Sequence, residues 1–516
     1  METNKDSSSY STAFIDEVGP ENITKLPFVF ATEEQKEKDG FNTQVASTLG
    51  NILAAASSTW GSEKAKKVSD AIFETVNGGG DYKNPNNYLA IQEQETKQLV
   101  ALNYILGHHD ADGNHVNDLR FGTDFLVSLA EDLATIDPEI IETNRLNAKF
   151  SGDKGYAVLY DKGYSFNPMG GVLDAMGGNV DAALKYLAPN GKDGSVNASR
   201  VEALSKYDWS WDPAGFAGFT AAVASASSKR ASTVDNPSGG ASESERARQL
   251  AGVAVHEIAA NVSEYNPSKR SWQQSGNAVV YSDDAKASLG TLLANCAPEL
   301  TQAWNGGSAV DPSTGKKLPE ATVADFNALA YRVADSQDAA ATIGASLAKH
   351  ATGKSAEQIE RFQGNKDAQL AQINEAYSRG SAALNHFTAI ADVKADAINE
   401  QLKEDTSVRS ANAAAALTGF TAVASGGLST PFQTDASLAT TTLTSPLVTN
   451  EIFGTKKVES TMGANPDEQM WAYAVRDAAN AGLTTSPWKI VSNTRGLPQT
   501  VTVSTESIYQ RHLRRI

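Results

Sequence analysis

Residues 166–189 read FNPMGGVLDAMGGNVDAALKYLAP, a mainly apolar stretch interrupted by four glycines and two asparagines. A loop that grips phosphate needs G-x-G-x-x-G spacing behind a strand, so that backbone N–H groups converge on the anion. Here the glycines come as two adjacent pairs, Gly170 with Gly171 and Gly177 with Gly178, and no strand pattern precedes them. Helix punctuation accounts for them better. Asn167 is a good N-cap, Pro168 suits the first helical position, and Gly177 can adopt the left-handed conformation that ends a helix. Asn179 then caps a second helix carrying Ala182, Ala183, Tyr186 and Leu187. The stretch therefore predicts a corner between two helices.

The same punctuation recurs along the chain. A short helix at 10–18 closes at Gly19, and Pro20 opens the next turn. Further helices fit 44–58, 62–76 with a stop at Asn77, and 86–106 before Gly107. Over 116–136, Phe121, Phe125, Leu129 and Leu133 recur every fourth residue as one stripe, which demands a partner helix. Another helix spans 212–227, followed by a Ser, Gly and Pro-rich linker at 228–242. Beyond it, Ala247, Leu250, Ala251, Ala254, Ile258 and Val262 stripe one helix. Leu289, Leu292, Cys296 and Leu300 stripe the next, which Pro298 should kink or restart. Residues 306–319 read as a polar loop or short hairpin. Leu370, Ile373, Tyr377, Gly380, Leu384, Phe387 and Ala391, with Ile398 in phase, form the seam of a long helix, and Val323, Phe326, Leu329 and Val333 supply one to face it. Short extended pieces fit only 156–160, 278–281 and 499–504. The expected class is all-α: a multi-helix bundle with long helical hairpins and only minor short strands. The expected domains are 1–228, 243–425 with the long hairpin, and 451–516 after a Ser/Thr/Ala-rich linker.

With 516 residues and 41% hydrophobic content, the chain can bury sizeable cores. Its net charge of −17 opposes nucleic acid and anionic lipid, because every phosphate contact would form against a repelling field. The single cysteine, Cys296, excludes an internal disulfide and a zinc site built from several thiolates. The polar, acidic N-terminus lacks a signal-peptide pattern. Residues 410–434 carry no charge, yet their Ala, Ser, Thr and Gly gain too little on leaving water to make a stable span.

The densest polar cluster is HHDADGNHVND at 108–118. Counted from Asp110 as a calcium loop, Asp110, Asp112, Asn114 and Asp118 occupy positions one, three, five and nine, each offering oxygen to a hard cation. Two positions depart from that pattern: the sixth is His115 rather than glycine, and the twelfth is Phe121 rather than a bidentate glutamate. His108 and His109 with an aspartate offer a zinc alternative, while their simplest use is at a helix C-terminus before an Asp-Gly-Asn turn. His256 with Glu257 lacks the second histidine of a metalloprotease helix, since position 260 is alanine. Gly353-Lys354-Ser355 lacks the earlier glycine of a phosphate loop, which is Ala348 here, and reads as helix punctuation. Tyr331 with Asp335 and Tyr473 with Asp477 match Y-x-x-x-[DE], and Trp304 with Gly306 matches W-x-G, both elements of type VII secretion substrates.

FIDEVGPENITKLP from Phe14, FGTDFLVSLAEDLATID from Phe121 and the stretch 166–188 together resemble a family of large Ala-rich helical proteins of actinobacteria that carry a domain of unknown function. Relatives of that family often follow a WXG-type helical module. The resemblance covers roughly residues 10–425 and rests on structural corners, so it supplies no active site. It implies an α-helical protein linked to type VII-like secretion or polymorphic-toxin loci. The chain departs from the pattern in having no WXG-type module ahead of Tyr10 and no recognisable toxin domain after Asn450. The resulting expectation is a non-enzymatic scaffold that binds a protein partner, cytoplasmic or exported by a leaderless type VII-like route. The alternatives are a metal-dependent enzyme or calcium-binding protein centred on 108–118, and a carrier of a small C-terminal effector in which Arg511, Arg514 and Arg515 touch an acidic partner.

Overall fold

The computed structural model describes residues 2–36, 40–77, 88–107, 109–136, 165, 167–191, 193–207, 209, 212–231, 240–260, 264–266, 271–273, 281–312, 314–334, 336–403, 474–475 and 477–483. The fold is all-α. The helices are α1 (Ser8–Val18), α2 (Leu26–Val29), α3 (Glu33–Lys36), α4 (Thr43–Ser57), α5 (Ser62–Val76), α6 (Tyr88–Leu106), α7 (Thr123–Leu133), α8 (Gly170–Gly177), α9 (Val180–Leu187), α10 (Ser199–Ser205) and α11 (Pro213–Ser227). They continue with α12 (Glu243–Ala260), α13 (Asp283–Asn295), α14 (Ala297–Trp304), α15 (Val323–Val333), α16 (Gln337–Arg361) and α17 (Lys366–Lys403). Three-residue strands β1 (Glu264–Asn266) and β2 (Ser271–Gln273) pair antiparallel, with Tyr265 opposite Trp272. This hairpin escapes a sequence reading because three residues are too few for alternation to register.

The chain divides into two compact units, Met1–Leu250 with Asn277–Ser288, and Ala251–Gly276 with Leu289–Ile516. Within the first, α11 is buried on every side from Gly215 to Ser227, which explains its small, nearly uniform side chains: a helix surrounded by neighbours needs no polar face. Its N-cap is Asp212, whose Oδ1 accepts from Gly215 N at 2.8 Å. α8 and α9 pack on it, and α7 packs on α5 and α9. The stripe Phe121, Phe125, Leu129 and Leu133 thus finds its partners and is fully buried, although Phe121 precedes the helix.

The corner at 166–189 is confirmed, with a different use for its glycines. Asn179 caps α9 by accepting from Ala182 N at 3.0 Å. Asn167 instead forms a turn, its Oδ1 accepting from Met169 N at 2.8 Å, and α8 starts at Gly170. Gly177 is no left-handed stop: it remains helical, and Gly178 has φ −83°. What requires glycine is proximity. A Cβ on Gly171 would stand 2.5 Å from Asn103 Cα, and one on Gly218 would stand 2.6 Å from Gly170 O, so α8 lies against α6 and α11 backbone to backbone.

In the second unit the long hairpin is α16 against α17, turning at Gly364 (φ 87°) with Asn365 Oδ1 accepting from Ala368 N at 3.1 Å. The seam residues Ile373, Tyr377, Gly380, Leu384, Phe387 and Ala391 are buried, and Leu370 is half-buried. α15 also packs on α17. α16 takes the larger share because it runs unbroken through Gly353, so that glycine does not punctuate a helix. Cys296 ends the run before α14, which restarts with Pro298 in its first turn. Residues 306–319 carry one isolated bridge, Val310 to Lys317. Among the described residues no helix is long and apolar enough to cross a membrane, and 410–434 lies outside them.

His386 on α17 sits in this core, its ring stacked on Trp304 at 5.2 Å and its Nε2 donating to Asn327 Oδ1 at 3.0 Å. Asn327 Oδ1 also accepts from Trp304 Nε1 at 2.9 Å, which leaves the neutral Nε2–H tautomer as the fitting one. Burial pushes the imidazole down to about 4.

Two predictions follow from these packings. Gly171→Ala should cost about 1–3 kcal/mol or more through forced overpacking, whereas Gly353→Ala, with nothing within 4 Å of its Cβ, should stabilise by about 0.5–1 kcal/mol, both read by urea denaturation. Because the folded state depresses the pKa of His386, the unfolded chain binds the extra proton first. Stability should therefore fall as pH drops from about 6.5 towards 4, by on the order of 3 kcal/mol from this group. His386→Gln should remove that share of the pH dependence.

Candidate metal centre

α6 ends at Leu106, and the chain turns back through 107–122 before α7. Two buried side chains hold the base of this loop. Asn117 donates from Nδ2 to Leu106 O at 2.7 Å, satisfying a carbonyl that the helix end leaves open, and to Asp174 Oδ2 at 3.0 Å. Phe121 is buried beneath it. Asp118 N donates to His109 O at 2.6 Å and closes the loop.

Above that base the acidic side chains wrap the backbone. Asp110 accepts from Asn114 N and His115 N, each at 2.9 Å. Asp112 accepts from Asn114 N at 3.2 Å and Asn114 Nδ2 at 2.9 Å, while Asp118 Oδ2 accepts from Ala111 N at 2.7 Å. Gly113 and His115 take positive φ, 70° and 63°. The sixth loop position is therefore left-handed although it is not glycine, and histidine is among the residues that tolerate this region best.

The consequence is convergence. One carboxylate oxygen from each of Asp110, Asp112 and Asp118 lies within 4.8 Å of the others, all three residues being exposed. At that separation each like-charge pair costs about 1 kcal/mol in bulk water, so the loop's own backbone bonds carry a repulsion that a cation would relieve. Of the remaining sequence-predicted donors, Asn114 uses Oδ1 to accept from Val116 N at 2.8 Å. His109 turns away, its Nε2 donating to Ile105 O at 2.9 Å on the last turn of α6. His108 lies outside the described residues.

A contact across 169 positions completes the loop. His115 Nδ1 is 2.7 Å from Asp284 Oδ1 in the first turn of α13. The neighbouring Tyr281 meets Phe216 edge-on at 5.3 Å, so this short returning segment is seated by an aromatic and a polar contact. No periodicity or spacing could have paired His115 with Asp284.

The other candidates have structural uses. His256 Nδ1 is 3.1 Å from Asp325 Oδ2, and this bond raises its pKa. The same carboxylate accepts from Thr322 N in the capping box that starts α15. Trp304 of the W-x-G match is buried, and Asp335, Tyr473 and the terminal arginines Arg511, Arg514 and Arg515 lie outside the described residues.

Comparison with known proteins adds one positive finding: the chain belongs to DUF6571, a family of unknown function matched over residues 1–509. No curated protein and no solved structure matches it.

Removing the Asp284 carboxylate should loosen the loop. Asp284→Ala is expected to speed amide exchange across 110–118 by roughly 5- to 10-fold, the equivalent of about 1 kcal/mol of left-handed strain no longer offset. Glycine at 115 adopts that conformation freely, so the His115→Gly, Asp284→Ala double variant should recover most of the protection.

Proposed function

We propose that this DUF6571 protein is a calcium-binding helical interaction protein, non-enzymatic, whose loop 109–118 holds one calcium ion. The observation that carries the reading is the convergence of Asp110, Asp112 and Asp118. All three donors are hard oxygens, which suits calcium, whereas zinc favours the nitrogen that His109 has committed to Ile105 O. Asn114 stands at the position of a fourth oxygen donor. Bound calcium would offset two of the three carboxylate charges and fix the turn between α6 and α7.

Position twelve offers only the buried Phe121, so the shell lacks a bidentate carboxylate and must be completed by backbone carbonyls and water. Affinity is accordingly expected at the weak end for calcium loops, a dissociation constant on the order of 10⁻⁴–10⁻³ M.

The interaction half of the reading draws support from Val29 and Phe30, exposed to 65% and 55%, which place adjacent large apolar side chains in water at the end of α2. The link to type VII-like export and toxin loci draws support from the sequence motifs of the resemblance, with a protein partner and a cytoplasmic or leaderless exported location as its consequences.

Isothermal titration with calcium chloride should give one saturable site, and Asp112→Asn with Asp118→Asn should weaken it at least 10-fold without altering the circular dichroism spectrum. Absence of heat at millimolar calcium, or binding indifferent to both substitutions, would overturn the calcium reading. Export is tested separately, by comparing culture supernatants of the native host with and without its type VII secretion ATPase. Equal retention inside the cell in both strains removes that link.

A further inference from the structure

The chain enters α15 through a strained turn. Ala321 N donates to Pro319 O at 2.6 Å, closing a three-residue turn around Glu320, whose φ is 60°. This is the rare form of the γ-turn, and a residue with a side chain stays in it only where its surroundings leave no alternative. Leu318 and Ala321 on either side are buried, and Leu318 N donates to Ala309 O at 2.8 Å, while Glu320 itself is exposed.

α12 supplies the rest of the hold from one of its faces. Gly252 lies so close to the turn that a Cβ there would stand 2.2 Å from Pro319 O. His256 is one helical turn further along the same face, and its Nδ1 reaches Asp325 Oδ2 at 3.1 Å. That oxygen is also the centre of the capping box, accepting from Thr322 N and Thr322 Oγ1, each at 2.9 Å. Of these bonds, only the one from His256 has a donor that titrates near neutral pH. Arg332 donates to Ile258 O at 2.7 Å and to Ala259 O at 3.3 Å, and so ties α15 to the end of α12 whatever the pH.

We propose that the entry to α15 is a proton-operated latch: charged His256 holds the Asp325 cap and with it the strained turn 319–321, and loss of the proton lets that turn open and uncover Leu318 and Ala321. Among the described residues, the charged groups acting on the imidazole are the carboxylates of Asp325 on α15, Glu257 on α12 and Glu320 in the turn, and all of them favour the proton. The bond to Asp325 contributes most, burial opposes it, and the pKa stands above the ordinary 6.5. A group whose pKa is higher in the closed form gives its full hold below about 6.5 and loses it as pH rises through the raised value. The direction is opposite to that of buried His386, which weakens its core in acid. The latch is closed in mildly acidic surroundings and loosens as they become alkaline.

Amide exchange of the full-length protein, each rate divided by the intrinsic rate at that pH, tests this between about pH 6 and about pH 9. Protection across 320–325 should fall about 5-fold over that range, while protection across the α17 seam stays level. His256 is half-exposed, so its substitution leaves the core untouched. His256→Gln should exchange at every pH as the wild type does at the alkaline end, and His256→Lys, which keeps a cation throughout, should stay as protected as the wild type at the acidic end. A flat wild-type profile, or a wild-type slope retained in His256→Gln, overturns the proposal.

Discussion

The first unit depends on one constraint: three helices pass so closely that there is no room for a Cβ between them. Gly171 of α8 meets the backbone of α6 at Asn103, and Gly218 of α11 meets the backbone of α8 at Gly170. Contact at this range replaces side-chain interdigitation with direct backbone packing. It leaves α11 surrounded and forces its composition towards Ala, Gly and Ser. The dense interior of a protein transmits any added volume, so a single methyl group added at this crossing is felt by all three helices.

Close backbone packing also creates polar obligations, since helix ends and turns brought inside must find partners. Asparagine meets most of them. Asn103 donates to Ser165 O and Asn167 O at 2.9 and 2.8 Å and accepts from Gly171 N at 3.0 Å, while Asp212 accepts from Ser165 Oγ at 2.6 Å and Asn167 N at 3.1 Å. Asn117 repeats the solution at the base of the acidic loop. Asn117 thereby ties the base of the loop to α8 through Asp174, while the carboxylates above it are held by the loop's own backbone N–H groups.

The second unit solves a different problem, a long seam rather than a crossing. Among its buried polar groups, His386 and Trp304 both donate to Asn327 Oδ1, and the hydroxyl of buried Tyr377 bonds Thr352 and Asp477. Such arrangements favour one register of the helices over its neighbours.

Much of the fold was legible in the chain's periodicity. The stripe through Phe125, Leu129 and Leu133, the seam through Ile373, Tyr377 and Phe387, the restart near Pro298 and the cap at Asn179 all follow from local stride and capping chemistry, which depend only on neighbours in sequence. The clustering of Asp110, Asp112 and Asp118 was legible for the same reason. Tertiary structure alone decided the role of the glycine pairs, because a residue chosen for closeness and one chosen for a left-handed turn look identical in sequence. It alone supplied the pairing of His115 with Asp284, of Tyr377 with Asp477, and of α16 as the principal partner of α17. Each of these joins groups far apart along the chain, and the energy that selects them exists only once the packing has brought them together.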